Sequence, residues 1–226
     1  KLERPSPAVR TATPRELAAM LSVVAYINVK EDSAERFEEL FAAQAAKVHA
    51  EEPGCLLYQL CKDRKAKGKY TVMELYSDTE ALKTHGKNLR ANANPEQGAM
   101  MLGAPEVLVM PVLGPAGAKP GAAALGIIAE IPVKDAEGFA KATLPLIEEV
   151  QAKEAGNLLY CFAKHPKEAK YVVTELYASK EDIQLHGGTE YFKAGGKRQA
   201  PFMAGAPKMS ILAAVGASGV KPAAKL

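Results

Sequence analysis

The chain of 226 residues contains no tryptophan and only three cysteines, and both scarcities limit what it can be. Cys55, Cys61 and Cys161 are odd in number and lack the CxxC spacing. This pattern argues against a disulfide framework and against a zinc site. We interpret the three residues as buried structural thiols, which fits a reducing compartment.

The sequence also lacks an excess of either charge and lacks long apolar runs. It has 29 basic and 26 acidic side chains that are interspersed along the chain, for a net charge of +3. No basic stripe marks a nucleic-acid surface, and no apolar run reaches the length needed to span a bilayer. Nucleic acid and a membrane span are therefore not expected. The 48% of hydrophobic residues is enough for one or two cores.

One stretch of the sequence occurs twice. Residues 70–86 read YTVMELYSDTEALKTHG, and residues 171–187 read YVVTELYASKEDIQLHG. Each copy predicts a strand, an acidic turn and a helix that carries one histidine, His85 or His186. Because recurrence at a fixed period marks a repeated structural unit, the chain is predicted to be one fold unit written twice.

Each unit is predicted to follow the β-α-β-β-α-β order of a ferredoxin-like fold. Such a unit covers one face of its sheet with helices and leaves the other face apolar, so that face needs a partner. The predicted fold class is therefore α+β, with two tandem ferredoxin-like units packed sheet to sheet in a barrel closed within one chain.

The predicted organisation has five parts: an N-terminal arm (1–20), a first repeat (21–113), a linker (114–121), a second repeat (122–216) and a C-terminal tail (217–226). We expect 92–103 to be irregular and Pro145 to kink the helix at 135–154. The arm resembles a remnant of an organelle transit peptide, and the final Ala-Lys-Leu resembles a peroxisomal signal. A cytoplasmic location is the default expectation.

These residues resemble the antibiotic biosynthesis monooxygenase (ABM) family of the dimeric α+β barrel fold. The resemblance rests on EEPGCLLYQL, on Glu-Leu-Tyr at 74–76 and on TEALKTHG in the first repeat, and on GNLLYCF, Glu-Leu-Tyr at 175–177 and EDIQLHG in the second. The family includes cofactor-independent oxygenases of quinols and polycyclic phenols, heme-degrading enzymes and members without known activity. The resemblance implies the fold and does not select among these functions.

The quinol and polyketide oxygenases of this family imply a set of site residues. There an electron-rich phenolate reacts with oxygen directly, so the protein supplies an apolar pocket and groups that take a proton and stabilise an anion. The residues that match as catalytic candidates are His85, His186, Glu74 and Glu175. Those that match as substrate-binding candidates are Tyr58, Tyr76, Tyr160 and Tyr177. No metal is implied.

Structural explanations of the same residues stay open. The two repeated histidines can plug the cavity mouths, the glutamates can face outward as partners of lysines, and the tyrosines can be core aromatics. His49 and His165 have no counterpart in the other repeat and are expected to be solvated. Segments 92–101 and 195–203 differ in polarity, which suggests that one pocket is active and the other structural.

The heme-degrading branch of the family implies a different set, with an asparagine in the first strand, a tryptophan in the second helix and a histidine ligand further on. The corresponding residues here are Ala25 and Ala129, His85 and His186, and Asn94 or Pro95 and Gly195 or Gly196. None of these roles is filled, so heme degradation of the family type is not expected. Because imidazole is a good iron ligand, heme binding through His85 or His186 is the third hypothesis.

The most concrete hypothesis is a cofactor-independent monooxygenase that holds a small aromatic or quinol-type substrate in an apolar pocket. The alternative is a non-catalytic binding or scaffold protein with the same fold. The expected partner is a small apolar or aromatic ligand. The expected assembly is a monomer that is an internal pseudo-dimer, or a homodimer of it.

Overall fold

The computed structural model describes residues 19–216. The two targeting resemblances, the predicted tail and nearly all of the predicted arm lie outside these residues. Within them, the first unit contains four strands and three helices in this order: β1 (Leu21–Asn28), α1 (Ala34–Glu51), β2 (Cys55–Asp63), β3 (Lys69–Tyr76), α2 (Thr79–Ala91), α3 (Pro95–Met100) and β4 (Glu106–Pro111).

After a two-residue strand β5 (Gly117–Ala118), the second unit repeats this order. Its elements are β6 (Leu125–Pro132), α4 (Ala136–Lys153), β7 (Asn157–Lys164), β8 (Lys170–Tyr177), α5 (Lys180–Gly188), α6 (Glu190–Gln199) and β9 (Lys208–Ala214). The prediction of two ferredoxin-like units is thus confirmed. Pro145 lies inside α4, which continues past it.

Two connecting segments contain more regular structure than expected. The segment 92–103 was expected to be irregular, which is wrong, because it contains α3. Asn94 caps this helix by accepting a hydrogen bond of 2.9 Å from the Glu96 N–H, and Pro95 occupies its first turn. The predicted linker contains β5, which pairs antiparallel with β7 at Tyr160 and Leu159.

The strands form a single sheet in the order β4-β1-β3-β2-β9-β6-β8-β7-β5. The two units meet where β2 pairs with β9, with Cys61 opposite Ala214. On the other side, an isolated bridge joins Val112, just after β4, to Ala163 of β7. The Leu113 N–H also donates 2.8 Å to the Phe162 carbonyl. These contacts close the barrel within one chain.

The barrel interior is one apolar core to which both repeats contribute. Its fully buried members are Leu57, Met73, Met110, Leu176 and Cys61. Two further cores lie between the sheet and the long helices α1 and α4. Successive residues of a strand point alternately to the barrel interior and to the helix-covered face. Each functional site must therefore lie on the helix side of the sheet.

The cysteines and one histidine test smaller expectations. Cys55, Cys61 and Cys161 are buried and form no disulfide among residues 19–216, as predicted. Burial raises the pKa of Cys61 to about 12 and that of Cys161 to about 11. The expectation that His165 is solvated is wrong: its side chain is buried, and Nδ1 accepts a hydrogen bond of 2.9 Å from the Glu168 N–H.

No helix in the 19–216 region is both long and apolar enough to cross a membrane.

Adjacent residues of β4 provide a test of the barrel core. Met110 is fully buried in the interior, whereas Val109 points to the other face and is 39% exposed. Met110→Ala should lower the free energy of unfolding by about 2–5 kcal/mol because it opens a cavity in a core shared by both repeats. Val109→Ala should change it by less than about 0.5 kcal/mol. Urea unfolding of both variants measures the difference, and equal effects would contradict this location of the core.

Candidate functional site

A buried hydrogen bond joins a histidine of α2 to a glutamate that follows α1. His85 Nδ1 lies 2.8 Å from Glu52 Oε2, and both side chains are almost fully buried. Glu52 Oε1 accepts a second hydrogen bond, of 3.1 Å, from Asn88 Nδ2. Because a carboxylate accepts, the neutral imidazole carries its proton on Nδ1 and has its lone pair on Nε2.

This contact forms because the turn after α1 packs closely on the first turn of α2. Glu52 ends α1, and its backbone N–H donates 3.0 Å to the Val48 carbonyl. A Cβ added at Gly54 would lie 2.5 Å from Ala81 Cβ, so only glycine permits this approach. Asp78 caps α2 by accepting 2.8 Å from the Ala81 N–H. The turn and the cap together fix the direction of α2.

The second nitrogen of the imidazole has no hydrogen-bond partner among residues 19–216, although it is buried. Glu74 Oε2, on β3, lies 3.9 Å from His85 Nε2. The Tyr76 hydroxyl donates 2.5 Å to the same Glu74 oxygen. The rings of Tyr58 and Tyr76 flank the imidazole with centroid distances of 5.0 and 5.4 Å. Nε2 is thus enclosed by Glu74 and the two tyrosine rings without a hydrogen bond in the described part of the chain.

Burial determines which of these groups can accept a proton. It raises the pKa of Glu74 above the usual value; the hydrogen bond from Tyr76 and the nearby His85 oppose this rise. Burial also raises the pKa values of Tyr58 and Tyr76 well above 10. Both tyrosines therefore keep their protons at neutral pH and act as donors.

An open cavity of about 580 Å³ adjoins this group. Its volume lies within the range of about 300–1,000 Å³ that is typical of small-molecule sites. Tyr58, Glu52, Glu74 and His85 form part of its wall. Apolar side chains from the sheet, α1 and α2 form much of the rest, including Val23, Ile27, Phe37, Phe41, Leu82 and Val107. The wall thus combines apolar side chains with the polar group around His85.

The second repeat contains the same contacts. His186 Nδ1 lies 2.9 Å from each carboxylate oxygen of Glu154, and the Tyr177 hydroxyl donates 2.5 Å to Glu175 Oε2. His186 Nε2 is likewise buried without a hydrogen-bond partner in the described part of the chain. Burial raises the pKa of Glu175 as it does that of Glu74. Tyr160 takes the place of Tyr58, with its ring centroid 5.7 Å from that of His186.

The two repeats differ in what lies against the histidine. In the second repeat, the Tyr191 hydroxyl donates 2.8 Å to Glu154 Oε1, where the first repeat uses Asn88. The Phe192 ring then lies against His186, with a centroid distance of 4.4 Å and an interplanar angle of 59°. In the first repeat the cavity adjoins His85 instead.

The residues that the sequence singled out are grouped around the two histidines. His85, Glu74 and Tyr58 share the cavity wall, while Tyr76 is fully buried behind Glu74. The second group is His186, Glu175, Tyr160 and Tyr177. The alternative that Glu74 and Glu175 face outward to lysines is wrong, because they are only 8% and 6% exposed.

Glu52 and Glu154 are the site residues that the sequence analysis missed. Each follows a charged residue at the end of a helix, Glu51 or Lys153, so each is easily interpreted as solvated. Alignment of the two repeats could have identified them, because both glutamates lie two residues before the matched glycines Gly54 and Gly156. A glutamate that recurs in register with a histidine is a candidate partner for it.

The described residues contain no group of three or more His, Cys, Asp or Glu side chains that could hold a metal ion. Heme needs only one protein nitrogen. His85 Nε2 has the chemistry for that role, so heme binding stays a hypothesis.

Comparisons with known proteins agree with this architecture. The sequence model of the family described as antibiotic biosynthesis monooxygenase matches residues 20–93 and again residues 125–198. A comparison with curated proteins found no match.

Three solved structures resemble the chain in fold. The first, from Lactobacillus acidophilus, is described as a candidate monooxygenase; it is 16% identical with a TM-score of 0.78, over 89% of this chain and 98% of its own. The second, described likewise and from Fusobacterium nucleatum, is 22% identical with a TM-score of 0.76, over 92% and 99%. The third, described as anthrone oxidase-like, is 16% identical with a TM-score of 0.53, over 92% and 97%. At these identities the likeness shows the fold alone.

The burial of Glu74 predicts a pH-dependent effect on stability. A carboxyl group whose pKa is raised by folding binds its proton more tightly in the folded state. The free energy of unfolding therefore falls as the pH rises from the ordinary carboxyl pKa, about 4, through the raised pKa of Glu74. Glu74→Gln removes this cost and can still accept the Tyr76 hydrogen bond, so it should stabilise the protein at neutral pH and less at pH 4.

Thermal unfolding between pH 4 and 8 measures the effect, at about 1.4 kcal/mol for each unit of raised pKa. The exposed Glu80→Gln is the control, since Glu80 is 79% exposed and pairs only with Lys83 on the surface. A Glu74→Gln variant that is less stable than the wild type across this range would show that the buried carboxylate is stabilising.

Proposed function

The chain belongs to the antibiotic biosynthesis monooxygenase family, and from that premise we propose that its first repeat is a cofactor-independent monooxygenase for a small aromatic or quinol-type substrate. The observation that carries the proposal is the buried His85, held through Nδ1 by Glu52, at the wall of an open apolar cavity. The imidazole is oriented by one carboxylate and keeps one nitrogen for chemistry. Family membership alone does not select this function.

His85 is the general base in this proposal. A phenolic hydroxyl that lies within about 3 Å of Nε2 loses its proton to the imidazole. Glu52 stabilises the imidazolium that results, because its carboxylate already accepts from Nδ1. Both groups are buried, so the attraction between them is stronger than it would be in water. The product of this step is an electron-rich phenolate in an apolar cavity.

The phenolate itself supplies the electrons for oxygen. A ring carbon of the phenolate bonds to one atom of O₂ and forms a hydroperoxide. Loss of water from the hydroperoxide then breaks the O–O bond and leaves a new carbonyl on the ring. One oxygen atom enters the product and the other leaves as water, while the substrate loses four electrons. A quinol C₆H₆O₂ thus gives the hydroxyquinone C₆H₄O₃ and H₂O, and no flavin or metal is required.

Tyr58 and Glu74 have supporting roles in this proposal. The Tyr58 hydroxyl accepts 2.7 Å from Gln44 Nε2, which leaves its proton for a substrate oxygen. Its raised pKa keeps that proton in place. Glu74 Oε2 lies 3.9 Å from Nε2, so the side chain borders the place where a substrate oxygen would lie in this proposal. Tyr76 fixes the orientation of Glu74.

The wall of the cavity supports the substrate class. It is mainly apolar and includes aromatic side chains on both the helix and the sheet side, such as Phe41 and Tyr58. The alternative, a non-catalytic binding protein, uses the same cavity and differs in showing no turnover.

Oxygen uptake with a panel of quinols and polycyclic phenols tests the proposal. His85→Ala should lower kcat by about 10²–10⁴-fold, as expected for loss of a general base. Glu52→Gln should lower kcat less, because it weakens the orientation of the imidazole without removing it. The matched variants of the second repeat, His186→Ala and Glu154→Gln, should retain turnover when rates are normalised to folded protein.

Several outcomes would contradict the proposal. Wild-type binding of these phenols without oxygen uptake would favour the binding or scaffold function. Equal losses from His85→Ala and His186→Ala would show that the repeats do not divide as proposed. A purified protein with a Soret band that His85→Ala abolishes would favour heme.

A further inference from the structure

The second repeat contains an aromatic ring in contact with its histidine. The Phe192 ring centroid lies 4.4 Å from that of His186, which is closer than either neighbouring tyrosine ring, at 5.7 and 5.8 Å. Phe192 is also 36% exposed. The ring therefore contacts the buried imidazole and is itself partly exposed to solvent.

A break in the helix brings Phe192 to this position. In the first repeat, α2 continues without interruption to Ala91. In the second, α5 ends at Gly188, and Thr189 caps a new helix by accepting 3.3 Å from the Phe192 N–H. Gly188 stands where the first repeat has Lys87, and a second consecutive glycine weakens the helix. The sequence thus explains why the chain turns here in one repeat only.

The first repeat has no aromatic residue at the corresponding position. In register with the histidines, Phe192 corresponds to Ala91, which is exposed. The cavity wall includes His85 and the residues that follow it, such as Leu89 and Arg90. The two repeats share the histidine, its glutamate and the flanking tyrosines. They differ in whether the chain itself supplies an aromatic ring against the imidazole.

We propose that Phe192 occupies in the second repeat the place that an aromatic ligand ring takes against His85 in the first. The His186 group is then a second ligand site of the same class that the protein's own side chain keeps closed. The inference rests on the proposed function in that it assigns an aromatic substrate to the first site. It adds the position of the ring, tilted against the imidazole and facing the cavity mouth.

The chemistry of the shared side chains supports a planar aromatic ligand. Imidazole and phenol rings that are tilted relative to each other, with centroids about 4.5–7 Å apart, interact favourably beyond the effect of burial. The His186–Phe192 pair is tilted by 59°, with its centroids 4.4 Å apart, at the short end of this range. A ligand with a phenolic hydroxyl gains a further hydrogen bond that phenylalanine cannot make, to the unpaired Nε2. An aliphatic ligand would gain neither contact.

Binding stoichiometry tests this proposal without any need for turnover. The probe is 1-naphthol, whose fluorescence is measured against a protein that contains no tryptophan. Wild type should bind one molecule per chain. Phe192→Ala should bind two, because removal of the ring opens the His186 site. Adding His85→Ala to that variant should weaken only one of the two sites.

Two control variants separate ligand replacement from general loosening. Phe192→Leu keeps an apolar side chain over His186 without a ring, and it should still bind one probe molecule. Leu185→Ala removes a 57% exposed apolar side chain that precedes His186 in the sequence, and it should also bind one. Circular dichroism establishes that each variant is folded at the temperature of the titration.

The number of binding sites in each variant decides whether Phe192 closes a second ligand site. A folded Phe192→Ala variant that binds one molecule, or none, would overturn the inference. Two sites in Leu185→Ala would also overturn it, since the second site would then not depend on Phe192. Two sites in Phe192→Ala alone, with no oxygen uptake by any variant, would support the inference and contradict the proposed oxygenase activity.

Discussion

The apolar faces of the two halves of the sheet bury each other, and the rest of the molecule is arranged around that contact. Leu57, Met73 and Met110 of the first repeat share one interior with Leu176 and Leu212 of the second. Because this face of each half is occupied by the other half, the cavity beside His85 lies on the opposite face, beneath the helices. The pairing of β2 with β9 makes the closure part of the hydrogen-bonded sheet as well. One chain thus forms the internal pseudo-dimer that two separate copies would otherwise have to assemble.

The site depends on buried acids, which a stable protein ordinarily avoids. Glu52, Glu74 and His85 are all less than 10% exposed, and their mutual contacts replace water only in part. The orphaned Nε2 of His85 is the clearest residual cost, since a buried polar atom without a partner is unfavourable. The second repeat retains the same cost at His186 although an aromatic side chain lies over it. The two repeats thus share the buried histidine and its glutamate and differ in the residues around them.

The sequence predicted the fold well because the fold depends on periodic features. Strand alternation and the repeated Glu-Leu-Tyr motif placed Glu74 and Tyr76 on the correct strand, and the apolar sheet faces that needed a partner predicted the closed barrel. Glu52 was missed because a single charge after a helix gives no periodic signal, and its burial depends on the approach of α2 at Gly54. The short helix α3 was missed although Asn94-Pro95 is a helix-start signal. The turn that places Phe192 depends on Gly188 and Thr189, and its effect on the site required three-dimensional contacts.

The central claim is that Glu52 holds the His85 imidazole through Nδ1 and leaves Nε2 as the base that faces a bound phenol. ¹⁵N NMR of histidine-labelled protein, at a pH where the imidazoles are neutral, measures the tautomer directly, and Glu52→Gln assigns the signal. We expect His85 to be the Nδ1–H tautomer, with an unprotonated Nε2 whose signal shifts when 1-naphthol binds. A His85 in the Nε2–H tautomer, or an Nε2 signal that does not change when the phenol binds, would contradict this role of Nε2.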